Sequence, residues 1–170
     1  MHISATGSLE TIRRTLWIAY MLGSLACASS VDPTKFQDVT AAANALRADL
    51  NHGGADGSPQ FDGLLQRFRS EISALEDRTS GRREGAVLDA YRRASENYQY
   101  FLRFKLLERE AVGGMVLLSG RNRPIASRYE LPMDNRGGGR WVNRKEAMRV
   151  FSDLAEREIT TAASLLSGKQ

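Results

Sequence analysis

Apolar residues recur at alternating spacings of three and four through four separate stretches of this chain, and that rhythm is what most restricts its fold. Phe36, Val39, Ala43, Leu46 and Leu50 form the first stripe. Phe61, Leu64, Leu65, Phe68, Ile72 and Leu75 form the second. A third runs through Leu88, Tyr91, Ser95, Tyr98, Leu102 and Leu106, widened by Val87, Ala94 and Phe101. Met148, Phe151, Ala155, Ile159, Ala162 and Leu166 make the fourth. Such spacing keeps one face of a 3.6-residue helix apolar, so each stretch reads as an amphipathic helix that must be covered on one side.

The boundaries carry their own signals. Asp32-Pro33 supplies an N-cap and a first-position proline, and Asn51-His52-Gly53-Gly54 is a run that tolerates left-handed backbone. Ser58-Pro59 opens the second helix and Thr79-Ser80-Gly81 closes it, with Arg67, Arg69, Glu71, Glu76 and Asp77 on its polar face. The third helix is expected over Ala86 to Arg109. Its aromatics, Tyr91, Tyr98, Tyr100, Phe101 and Phe104, are expected in the core. Asn143 caps the last helix, and Ser167-Gly168 ends it.

Between the last two helices the rhythm fails. Gly113-Gly114 weakens a helix, and Met115 to Leu118 reads either as a final turn or as a short strand. Residues 119–143 read as a long irregular loop with two prolines and a glycine triplet. Ile125 to Leu131 alternates loosely enough to pair with Met115 to Leu118 as a short β-hairpin across Gly120 to Pro124. The expectation is therefore an all-α, four-helix-bundle-like domain with a long irregular loop before the last helix.

Ahead of the helices, Leu16 to Ala26 is an uncharged apolar run of eleven residues preceded by Arg13 and Arg14. It is too short to span a bilayer, which takes about 20 residues, and suits the central region of a secretory signal. Ala26-Cys27-Ala28 matches an A-x-A cleavage site that would release the chain from Ser29. Gly23-Ser24-Leu25-Ala26-Cys27 also resembles the lipobox of bacterial lipoproteins, with Ser24 where leucine is commonest. That resemblance implies that the Cys27 thiol takes a diacylglyceryl group and becomes the acylated N-terminus. A cleaved secretory signal, an uncleaved anchor, or a core helix packing Leu16, Trp17, Tyr20 and Leu25 are the alternatives. The expected organisation is a signal over 1–27, a tether over 28–32 and a helical domain over 33–170. Cys27 is the only cysteine, so no internal disulfide can form in the exported domain.

Without Arg13, Arg14 and Glu10 the remainder carries 22 basic and 19 acidic residues, a mild imbalance that permits an anionic partner without demanding one. No nucleic acid is expected as a partner. Catalytic and metal signatures are sparse. Outside the leader the only histidine is His52, in a glycine-rich turn, so neither a zinc set nor an imidazole base paired with a nucleophile can be assembled. Gly137 to Gly139 is followed by Arg140-Trp141, where a phosphate loop needs a lysine and a hydroxyl. Glu108 and Glu110, like Glu156 and Glu158, stand two apart and so point in different directions on a helix. No catalytic residue, metal or cofactor is assigned.

The residues singled out lie in the loop. Arg121, Arg123, Arg128, Arg136, Arg140, Arg144 and Lys145 face only Glu130 and Asp134, with Tyr129 and Trp141 interleaved. Arginine with tyrosine or tryptophan is the composition of binding hot spots. Arg121, Arg123, Arg128, Tyr129, Arg136, Arg140, Trp141 and Arg144 are thus candidate partner-binding residues, for lipid headgroups, surface glycan or another envelope protein. The plainer alternative is that Trp141, Ile125 and Leu131 staple the loop onto the helices while the arginines stay in water. The expected function is an exported, lipid-anchored bacterial envelope protein, periplasmic or on the outer membrane facing the periplasm, which binds or scaffolds. A periplasmic hydrolase acting on wall or sugar, or a soluble secreted binder of an anionic partner, is the alternative.

Overall fold

The computed structural model describes residues 31–53, 58–120 and 122–168. The leader with Cys27, and Arg121, lie outside them. Asp32 accepts a hydrogen bond from the Thr34 amide at 3.0 Å and starts a 3₁₀ turn, Pro33–Phe36, that runs into α1, Gln37–Gly53. Asp49 then ties the next element down. It accepts from the Ser58 amide at 3.0 Å and from the Ser58 hydroxyl, while Ser58 Oγ accepts from the Gln60 amide. That knot launches α2, Phe61–Glu76.

Helix α3, Arg82–Leu106, begins four residues before the expected start at Ala86. Gly81 stands at its N-cap with extended backbone and no side-chain bond. Glu84 reaches back to the Ser80 amide at 3.2 Å and pairs with Lys35 of the first turn at 2.6 Å. The helix tightens into a 3₁₀ turn, Leu107–Glu110. The last long helix, named α5 below, spans Arg144–Leu166 and is capped as expected by Asn143, whose side chain accepts from the Glu146 amide at 3.1 Å.

Contacts between these helices fix their directions. Phe61 meets Phe101 and Phe68 meets Tyr91, so α2 runs against α3. Arg93 pairs with Glu158 and Phe104 stacks near Phe151, so α5 also runs against α3. Lys35 with Glu84 and Thr40 with Tyr91 set α1 alongside α3 in the same sense. Ala90 and Ala94 on α3 and Ala155 and Ala162 on α5 have no exposed surface, small residues of the kind that let helices approach closely. One stripe residue fails its expected place: Leu106 is 71% exposed. Phe61, the first residue of α2, already lies opposite Tyr98 and Phe101, so α3 outruns the helix that would cover Leu106.

Residues 119–143 are not an irregular loop, and the fold is mainly α with a small antiparallel sheet. Helix α4, Asn122–Arg128, buries Ile125 and Ala126. Strands β1, Met115–Leu117, β2, Met133–Arg136, and β3, Gly139–Asn143, form a sheet in the order β1-β3-β2. The expected hairpin between Met115 to Leu118 and Ile125 to Leu131 does not form. Ile125, Ala126 and Tyr129 share helical spacing, whereas β3 offers Val142 opposite Val116, which buries both.

Two Gly-Gly pairs build the corners. Gly137 and Gly138 have φ of 57° and 77° and join β2 to β3. Gly113 and Gly114, at 58° and 77°, close a bridge between Val112 and Met115. Positive φ at both central residues is the tight hairpin turn that glycine serves without steric cost. Helix α5 depends on its cap in the same local way. Asn143→Ala is expected to cost about 1 kcal/mol, read as a lower denaturant midpoint with an unchanged slope.

Candidate functional site

The sheet has a covered and an open face. Val116, Val142 and Leu118 are buried under it, while the alternate residues Met115, Leu117, Trp141, Asp134 and Arg136 project the other way. Val112, 70% exposed at the bridge beside β1, extends this open face. Val112, Met115, Arg136, Gly137 and Trp141 line a cleft of about 270 Å³. Trp141 donates its indole N–H to the Arg136 carbonyl at 3.2 Å, which fixes the ring across the β2–β3 turn. Gly139 lies beneath it: a Cβ there would come within 2.7 Å of Leu117 Cδ1 and 3.2 Å of the indole nitrogen. Leu117, itself 44% exposed, therefore packs beside Trp141 only because residue 139 is glycine.

The candidates taken from the sequence do not stay together. Arg136 and Trp141 share the cleft. Arg136 is exposed and pairs with Asp134 on its own strand at 2.5 Å. Arg140 and Arg123 are exposed, Arg140 on β3 and Arg123 on α4. Arg128 and Tyr129 instead join the side of α3. Arg128 lies 3.6 Å from Glu96 and its guanidinium sits over the Tyr129 ring at 5.4 Å. Tyr129 packs on Tyr100 and Phe151. Arg144 is buried, with 4% exposure. It reaches the Lys105 carbonyl and Met148 Sδ, and lies 3.5 Å from Glu108. Arg121 is outside the described residues. Of the stapling residues, Ile125 and Leu131 are buried and Trp141 is half-buried.

Val112, Leu117 and Met133 are the exposed apolar residues of this region that the sequence reading passed over. Their signal was available only through the two-residue period of strands too short to display it.

Tyrosine environments around α3 share one direction. Burial raises the phenol of Tyr100 to about 12, helped by its hydrogen bond to Glu96 at 2.8 Å. Burial also raises Tyr129, with Glu96 adding to it. A second cleft, about 380 Å³, lies between α2 and α3, where Leu65, Arg69, Leu102, Arg103 and Leu106 meet Asp62 and Glu110. Among the described residues no three His, Cys, Asp or Glu side chains gather as metal ligands. His52 Nδ1 lies 2.7 Å from the Ala48 carbonyl of its own helix. Glu156 pairs with Arg47 and Glu158 with Arg93. The open face thus presents apolar and aromatic side chains beside the Arg136–Asp134 ion pair.

No family model matches the chain, and neither a curated protein nor a solved structure matches it.

Proposed function

We propose that this chain is an exported bacterial envelope protein, tethered to a membrane by an acylated Cys27, that binds a partner through the open face of its sheet. In this reading the four long helices act as a four-helix-bundle-like scaffold on the periplasmic side of the tether. The observation that carries the binding role is the cleft of Val112, Met115 and Trp141 beside Arg136. Exposed apolar surface edged by arginine and tryptophan is where interfaces concentrate their energy. The tether rests on Leu16 to Ala26, the arginines ahead of it and the lipobox-like Gly23 to Cys27. Two or more acyl chains on Cys27 would anchor the protein stably, where a single chain holds only marginally.

Both parts are tested on the full chain expressed in a bacterial host. Mass spectrometry of the mature N-terminus is expected to find a diacylglyceryl-modified Cys27, and Cys27→Ala is expected to move a folded protein out of the membrane fraction. An unmodified Cys27, or a variant still in the membrane fraction after processing, would refute the tether. Val112→Glu places a charge on a residue 70% exposed and so spares the fold. It is expected to abolish co-purification of whatever the anchored protein retains; an unchanged set of companions would refute the binding face.

A further inference from the structure

We infer that the outer edge of β2 pairs with the same edge of a second copy of this chain, antiparallel and two-fold symmetric about Asn135. The inference does not depend on the tether or on the cleft.

Hydrogen bonding within the sheet sets which groups face out. Arg136 and Gly139 flank the two-residue turn at Gly137-Gly138 and so exchange both of their backbone bonds. Two residues on, Asp134 does the same with Trp141. The other side of β3 agrees with this alternation. Leu118 donates to the Arg140 carbonyl at 2.8 Å and Arg144 donates to the Gly114 carbonyl at 2.9 Å, so the even-numbered residues serve β1. Met133 and Asn135 therefore direct their N–H and C=O groups away from β3. β2 is an edge of the sheet, and Met133, Asn135 and Arg136 are exposed along it. Its four residues carry one carboxylate and one guanidinium, charges that discourage an unmatched strand but complement a second copy in the right register.

The side chains select the register. Asp134-Asn135-Arg136 inverts its charge about the central residue. When two such strands pair antiparallel with Asn135 on the axis, each Asn135 exchanges N–H and C=O with its counterpart, as its outward groups require. Asp134 then faces Arg136 of the second copy in a non-hydrogen-bonded pair, where side chains approach most closely, and the contact is made twice. Centring on Asp134 instead would use the same outward backbone groups of Met133 and Asn135 but would oppose two like carboxylates in the closely spaced non-hydrogen-bonded pair, so the charges decide the register. A two-fold interface must be self-complementary, and this strand is. Each ion pair now made within one strand, Arg136 to Asp134 at 2.5 Å, is exchanged for one across the axis. The open faces of the two sheets become one continuous surface.

The test is sedimentation of the purified full chain in neutral detergent, for the natural protein, Asp134→Arg, Arg136→Asp, and an equimolar mixture of the two variants. Each variant alone opposes like charges on the axis, and its self-association is expected to weaken at least about tenfold. In the mixture, the doubly cationic edge of the first variant meets the doubly anionic edge of the second, so association is expected to return as a heterodimer. Both positions are partly or fully exposed, and unchanged helical circular dichroism would certify the fold of each variant. A natural protein that stays monomeric into the millimolar range overturns the inference. So does self-association unaffected by either substitution, or a mixture no more associated than its components.

Discussion

Phe151→Ala is expected to lower the stability of the fold by about 3–5 kcal/mol, the range for deleting a buried aromatic ring. Phe151 has no exposed surface and stands at a junction. Its ring lies 5.7 Å from Phe104, 5.2 Å from Tyr100 and 5.1 Å from Tyr129, centre to centre. It therefore joins α5 to α3 and to the end of α4, three elements that cannot collapse together into the space it leaves. The lost transfer energy is compounded by a cavity that its neighbours only partly fill. Denaturant unfolding monitored by circular dichroism measures it, and melting should fall by roughly 10 °C for a domain of this size. A loss under about 1 kcal/mol would mean that these rings do not form the packed junction described.

The second large effect is alkaline. Tyr91, Tyr98, Tyr100 and Tyr129 all have phenols raised above the ordinary 10.0, and burial is the leading cause in each. A raised phenol holds its proton more tightly in the folded chain than in the unfolded one. Its contribution is whole below the unfolded value and drains away as pH climbs from about 10 through the folded values, which for Tyr100 is about 12. The unfolding midpoint is thus expected to be flat up to pH 10 and to fall steeply above it. Phenolate absorbance should lag behind that of free tyrosine and then rise together with the loss of helical signal. Four phenols ionising near the ordinary value in a chain that stays helical would contradict the burial of these rings. Tyr100→Phe should shift the onset upward, since it removes one of the groups that release a proton on unfolding.

The long helices were legible by their apolar stripes, and all but α3 also carry a local start signal. Asp32 and Asn143 make the capping bonds their positions suggested, whereas Ser58 bonds the Gln60 amide one turn ahead of α2, whose N-cap is Gln60 without a side-chain bond. The start of α3 was not legible: Gly81 offers no side chain, and Arg82, Arg83 and Glu84 precede the first buried residue. The sheet escaped for a different reason. Three to five residues are too few to display a two-residue period, and Gly113-Gly114 and Gly137-Gly138 read equally well as interruptions or as tight turns. Only the tertiary pairing of Val116 with Val142 decides between them. For the candidate site, composition marked a basic aromatic region but could not sort it. Arg136 and Trp141 reach the open face, whereas Arg144, first residue of α5, turns inward to the end of α3.

The placement of Lys35 beside Glu84, with Arg144 meeting the Lys105 carbonyl, means that the chain enters at the foot of α3 and carries its strands at the head. Twenty-one residues of helix separate Glu84 from Lys105, roughly 31 Å at 1.5 Å per residue. The length of α3 is the ruler that sets the gap between the first turn at Lys35 and the strands that lead into Arg144.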